Sequence, residues 1–123
     1  LKENKISFLG NRGDEPTGYS VILDSKEHER TILVYKGAND ELKSSEVNLD
    51  KLDAKWFYFS SMSGQSLETQ KKLASYLNKK GAKIAYNPSS YLTKNGAEYI
   101  KEILKNTEIL ILNDKEARDL FPS

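Results

Sequence analysis

Three short apolar runs, Trp56-Phe57-Tyr58-Phe59, Ile84-Ala85-Tyr86 and Ile109-Leu110-Ile111-Leu112, punctuate the second half of the chain, and the segments between them carry helical periodicity. Nearly continuous runs mark buried parallel strands, because the helical crossovers between parallel strands cover the sheet. After the first run, Leu67, Gln70, Ala74 and Leu77 share a face with Leu73. Ser66 reads as the N-cap and Gly81 as a left-handed stop, which predicts a helix over 66–80. Asn95, with Glu98 three residues on, predicts the start of a second helix whose stripe is Ile100, Ile103 and Leu104. A third helix opens after Leu112 and turns Ala117, Leu120 and Phe121 inward before Pro122. Strand and helix in alternation, joined by right-handed crossovers, predict a doubly wound α/β unit.

The front of the chain follows a different rule. Tyr19 to Leu23 and Thr31 to Tyr35 are rich in β-branched and aromatic residues, and the polar stretch Asp24 to Arg30 joins them as a hairpin with a long tip. Ile6 to Leu9 predicts one more short strand, while Gly10 to Pro16 and Gly37 to Asp40 read as loops. The chain therefore divides into a front β segment, 1–50, and an α/β segment, 51–123. With 123 residues, 37% hydrophobic and 30% charged, it supplies one core and not two.

Composition removes several functions. Nineteen Lys and Arg against eighteen Asp and Glu leave a net charge of +1 with no block of like charge, so neither nucleic acid nor an anionic membrane is an expected partner. No apolar run approaches a membrane span, no signal-peptide pattern opens the chain, and Asn87 is followed by Pro88, so no glycosylation acceptor is present. A cytoplasmic location is the expectation. The absence of cysteine excludes disulfides, thiolate chemistry and zinc–cysteine sites. The single histidine, His28, sits in the charged hairpin tip, where nothing would hold it as a general base. The segment Gly13 to Gly18 has P-loop glycine spacing, but Tyr19 stands where the lysine belongs and a strand follows instead of a helix. No two of the seven glycines are separated by one residue, so a dinucleotide-binding Gly-x-Gly is missing as well.

Ligands of open parallel sheets bind beyond the carboxyl ends of the strands, which gathers Ser60 to Gly64, Asn87 to Ser90 and Asn113 to Glu116 on one rim. Asn113-Asp114-Lys115-Glu116 reads as a capping box; the same oxygens could order the waters of a Mg²⁺ ion bound to phosphates, and the two readings are compatible. Asn87-Pro88 reads as a strand-ending turn, with a functional reading added by its place beside Asn113. Tyr35-Lys36-Gly37-Ala38-Asn39 is either a solvated strand end or a binding edge that sets a cation and an amide about a glycine.

Taken in order, Thr17-Gly18, Gly37-Ala38-Asn39, Asn87-Pro88 and Asn113-x-x-Glu116-Ala117 resemble the middle of a ribokinase-like carbohydrate kinase of the PfkB family, over roughly residues 6 to 121. The resemblance implies a ribokinase-like three-layer α/β fold: a partial parallel sheet with helices, preceded by an antiparallel β lid. It implies an enzyme that moves the γ-phosphate of ATP to a sugar or nucleoside hydroxyl, with ATP and Mg²⁺ as cofactors. Tyr35, Lys36 and Asn39 would lie on the substrate side of the lid. Asn87, Asn113 and Glu116 would form the Mg²⁺ and phosphate network, with Glu116 reaching the metal through water. Asn87 is often an aspartate in relatives, so the amide here removes a charge. The family's Gly-Gly sugar segment and its Gly-Ala-Gly-Asp signature, which supplies the base and the anion hole, do not occur in these 123 residues. No catalytic residue is therefore assigned, and the chain alone is expected to be inactive. It begins at Leu1 with Met62 as its sole methionine, which suggests a piece of something longer. The alternatives are a non-catalytic sugar- or nucleotide-binding α/β module, or an unrelated three-layer domain without a lid hairpin. Missing cover over Trp56-Phe57-Tyr58-Phe59 leads to the expectation of a homo-oligomer or a marginal fold.

Overall fold

The computed structural model describes residues 2–24 and 30–122. Strands β1 (Thr17–Asp24) and β2 (Arg30–Gly37) pair antiparallel, with Tyr19 opposite Tyr35 and Ile22 opposite Ile32. The tip that joins them, with His28, lies outside the described residues. Alternation puts Tyr19, Val21 and Leu33 on one face and Ile22, Ile32 and Val34 on the other, and all six are exposed. This ribbon is therefore apolar on both sides and covered on neither. The strand expected at Ile6 to Leu9 does not form; Ile6, Phe8 and Leu9 stand exposed. A strand needs a neighbour's backbone to complete its ladder, and β propensity alone does not supply one.

The second sheet holds β3 (Trp56–Phe59), β4 (Lys83–Tyr86) and β5 (Ile109–Leu110), all parallel and in the order β3-β4-β5. The four-residue run at 109–112 pairs over two residues, after which the Ile111 N–H still donates to the Tyr86 carbonyl at 2.9 Å. Helix α1 (Gly64–Lys79) returns from β3 to β4. Helices α2 (Ser89–Thr93) and α3 (Lys101–Leu104), linked through a 3₁₀ turn at Ala97–Ile100, return from β4 to β5. Helix α4 (Asp114–Leu120) follows.

Strand order without reversal has a direct consequence. Right-handed crossovers between strands laid side by side in sequence all fall on the same face of the sheet. The core accordingly lies on one side, with Phe59, Ile84 and Tyr86 meeting Leu67, Ala74 and Leu77 of α1, Leu92 of α2, Ile103 of α3 and Leu120 of α4. The other face presents Trp56, Tyr58 and Ile109 to solvent, 46%, 63% and 47% exposed. The unit is thus wound on one side within the described residues, rather than doubly wound. The run Trp56 to Phe59 alternates, with Phe57 and Phe59 turned into the core.

The helix boundaries differ from expectation for identifiable reasons. Helix α1 starts at Gly64 with Ser63 at the N-cap position; neither serine caps it through its side chain, since the Ser63 hydroxyl donates to Asp40 and Ser66 Oγ accepts from the Leu42 N–H at 2.9 Å. Gly81 ends that helix with φ of 78°, as its place after Lys80 suggests. Asn95 does not cap the next helix. Its side-chain amide donates backward to the Tyr91 carbonyl at 3.1 Å and closes α2, a short helix that was not expected, and the helix expected beyond it forms as two pieces, the 3₁₀ turn at Ala97–Ile100 and α3. Ile100 and Ile103 are buried as expected, whereas Phe121 is 59% exposed because α4 ends at Leu120.

Candidate functional site

The base of the hairpin is built around two glycines. Gly37 has φ of 49°, a conformation that costs an L side chain about 1 kcal/mol or more, and it lets the Ala38 N–H reach the Pro16 carbonyl at 3.0 Å. A Cβ on Gly18 would stand 2.5 Å from the Lys36 carbonyl and would collide with the Asn39 side-chain amide. Close crossing of the two strands at this point delivers Lys36 and Asn39 to the carboxyl end of β3.

Residues 40–42 are then pinned to α1. The Ser63 hydroxyl donates to Asp40 Oδ1, the Leu42 N–H donates to Ser66 Oγ at 2.9 Å, and Thr69 Oγ1 donates to the Leu42 carbonyl at 2.7 Å. Ser63, Ser66 and Thr69 are buried, and so is Gln70. Sequence reading placed Gln70 on the inward face of the helix but missed the polar row that runs with it. Its signal was available as Ser63, Ser66, Thr69 and Gln70 at helical spacing, continuous with the apolar stripe.

Between the hairpin base and the β3–α1 loop lies a cleft of about 680 Å³, whose polar lining includes Asn11, Thr17, Lys36, Asn39, Ser60 and Ser61. Two of the three residues expected on the substrate side, Lys36 and Asn39, line it. Tyr35 does not. Neighbours on a strand point to opposite faces, so Tyr35 and Lys36 cannot both look into one cleft. The Tyr35 ring stands 5.3 Å from that of Tyr19, and its hydroxyl donates to Glu15 Oε2 at 3.3 Å. The Glu15 carboxylate raises the phenol above its ordinary range.

A second polar group occupies the ends of β4 and β5. Asn113 is the N-cap of α4: its Oδ1 accepts from the Glu116 N–H at 2.9 Å, and Glu116 Oε2 accepts from the Asn113 N–H at 3.1 Å. Glu116 Oε1 accepts from the Ser90 hydroxyl at 3.1 Å, and the residue is buried. Asn87 joins one step removed, its Oδ1 accepting from the Ser89 N–H at 3.1 Å. Ser89 holds φ of 58°, a left-handed backbone that costs a serine about 1 kcal/mol or more, at the turn that aims Ser90 at Glu116. Asn87, Asn113 and Glu116 do not line the cleft. Among the described residues Lys36 links the two groups, its Nζ lying 5.1 Å from the centroid of the Tyr91 ring, one residue beyond Ser90.

Among the described residues no group of three or more His, Cys, Asp or Glu side chains comes together to hold a metal. One buried carboxylate with both oxygens already hydrogen-bonded does not make a cage for a bare cation. It fits Mg²⁺ held at one remove, since that ion keeps several of its waters and takes few protein ligands. No helix among the described residues is long and apolar enough to cross a membrane.

This architecture is similar to that of a solved ribokinase from Thermotoga maritima, with a TM-score of 0.70 at 24% sequence identity. The match covers 89% of this chain and 35% of the ribokinase, so the chain spans about a third of that enzyme. No curated protein matches the chain. The model of the pfkB family carbohydrate kinases matches residues 1–123, and the chain belongs to that family.

Proposed function

We propose that this chain forms the lid side and part of the core of an ATP-dependent sugar kinase, residues 1–50 contributing the lid and residues 51–123 the α/β segment. The observation that carries this reading is the cleft beneath the hairpin, where amides, hydroxyls, the Lys36 ammonium and the Asp40 carboxylate line a space of about 680 Å³. A polyhydroxylated ligand needs donors and acceptors of this kind around an otherwise shaped cavity. Lys36 and Asn39 would orient the acceptor sugar or nucleoside, and the apolar lining from Phe8, Leu42 and Met62 would keep water from its carbon skeleton.

Glu116, Asn113 and Asn87 would support the nucleotide side. Mg²⁺ supplies charge neutralisation at the phosphates of ATP when bound. In this chain Glu116 would hold its hydration shell through hydrogen bonds, with Ser90 and the α4 amide frame fixing the carboxylate. Transfer also needs a base and an anion hole, and the 123 residues contain no Gly-Ala-Gly-Asp. Each tenfold loss of rate is about 1.4 kcal/mol of barrier, and loss of both elements removes most of the catalytic stabilisation. The chain by itself therefore binds without transferring. A donor such as ATP fits a cytoplasmic enzyme.

The same missing base favours one competing reading, a binding module that never transfers phosphate. Calorimetry of the purified chain with ATP–Mg²⁺ and a panel of sugars, paired with a phosphoryl-transfer assay, tests both. Weak binding of a sugar and of ATP–Mg²⁺ with no turnover is expected. Turnover by these 123 residues, free of host kinases, would overturn the assignment of catalysis to other segments, and tight saturation by a sugar with no response to ATP–Mg²⁺ would favour the module.

A further inference from the structure

A smaller cavity of about 170 Å³ opens off the cleft; Leu42, Ser60, Met62 and Ser66 line both. Its remaining wall is Tyr58, Phe59, Thr69, Gln70 and Leu73. The hydroxyls of Ser66 and Thr69 are committed to the backbone of Leu42. Gln70 is 2% exposed, and its Nε2 donates to the Ser60 carbonyl at 2.8 Å. That bond fixes the amide, because turning it over would set two acceptors against each other. Gln70 Oε1 is left buried without a partner among the described residues, and so is the Ser61 hydroxyl next door in the cleft. An orphaned buried acceptor is costly and calls for a donor.

We propose that this side cavity is a specificity subsite for a hydroxymethyl arm of the acceptor sugar, with Gln70 Oε1 accepting the hydroxyl and Phe59, Met62 and Leu73 enclosing the methylene. The inference rests on reading the adjoining cleft as the sugar site. A carboxylate or phosphate is the wrong group, since it would bring negative charge against a carbonyl oxygen with no cation in the wall. An arm of one carbon and one hydroxyl matches both the apolar wall and the single open acceptor. The Ser61 hydroxyl is placed to take a neighbouring ring hydroxyl at the cavity mouth. Ser61 has no sequence signature of its own, and Gln70 is marked in the sequence only by its place on the inward face of the helix.

The test is a titration of the 123-residue chain with millimolar D-ribose and D-fructose, followed through the side-chain amide resonances of Asn11, Asn39 and Gln70. All three should shift along one saturation curve for at least one sugar. For that sugar, one analogue lacking a terminal hydroxyl (5-deoxyribose, or 1-deoxy- or 6-deoxyfructose) should still shift Asn11 and Asn39, leave Gln70 unmoved, and bind about tenfold more weakly, equivalent to ~1.4 kcal/mol. Gln70→Met should abolish that discrimination while keeping the Asn39 response; if it does not fold, the wild-type resonances decide alone. Shifts at Asn11 and Asn39 with Gln70 silent for every sugar overturn the subsite and leave the cleft reading intact, as does a bound water retained at Gln70 in the saturated state. Silence at all three amides overturns both.

Discussion

The ammonium of Lys36 lies 5.1 Å from the centroid of the Tyr91 ring, and among the described residues this contact ties the base of the hairpin to the helical layer. Below it the chain is fastened by Asp40 and Leu42 to α1; above it β1 and β2 carry apolar side chains on both faces into solvent. Because Tyr91 follows Ser90, the partner of Glu116, this contact also joins the cleft to the polar group at the end of β5.

Replacing Tyr91 therefore loosens the hairpin selectively. A cation–π contact at an exposed site is worth about 0.5–1 kcal/mol. Tyr91→Leu should lower amide-exchange protection in β2 by a few-fold, while Tyr91→Phe, which keeps the ring, should leave it unchanged. Equal exchange in both variants would deny the contact any role.

Glu116 and Asn113 form a reciprocal cap in which every bond closes on a backbone N–H or a hydroxyl. Asn113→Ala should cost about 1 kcal/mol in urea unfolding, the usual loss of an N-cap. Glu116→Ala should cost more, about 2 kcal/mol, because it also strands the Ser90 hydroxyl. A Glu116→Ala variant as stable as the parent would remove this carboxylate from the structural frame.

Tyr86 is fully buried and its hydroxyl finds no partner among the described residues. Tyr86→Phe should be neutral or stabilising by up to about 1 kcal/mol. Burial raises its phenol well above the ordinary value of 10.0. The folded state then keeps a proton that the unfolded state releases, so stability is intact below pH 10 and falls above it, by about 1.4 kcal/mol per pH unit. Unfolding measured at successive pH values above 10 should show this extra loss in the parent and not in Tyr86→Phe; parallel curves would contradict it.

At the hairpin base, Gly37→Ala meets a left-handed backbone and the Pro16 carbonyl together. A cost of about 1–3 kcal/mol is expected, with loss of amide protection confined to 16–39. A variant with full protection there would show that the backbone can relax.

The bare sheet face predicts self-association. Trp56, Tyr58 and Ile109 form an apolar strip on strands whose opposite face is packed. Light scattering should show mass rising with concentration, and Trp56→Lys should reduce that rise. A concentration-independent monomer would refute it.

Local sequence settled the elements whose signals are local. Gly81 stops α1, Asn113 and Glu116 write a capping box into four residues, and the β-branched runs at 19–23 and 31–35 specify a hairpin, because each pattern is satisfied by atoms within one turn or between two adjacent strands. Tertiary structure alone decided the rest. Ser66 could have capped a helix, and instead receives the Leu42 N–H from 24 residues away. Tyr35 and Lys36 are adjacent in sequence, and only the placement of the end of β2 beside the β3–α1 loop determined that the lysine faces the cleft. Trp56 and Phe57 are equally apolar, yet the one-sided winding of the sheet packs the second, half-buried, against the core and bares the first. Gln70 matched the periodicity of a core face; its orphaned oxygen exists because a distant carbonyl at Ser60 took the other half of its amide. Hydrogen-bond partners far apart in sequence are chosen by packing geometry, which periodicity does not encode.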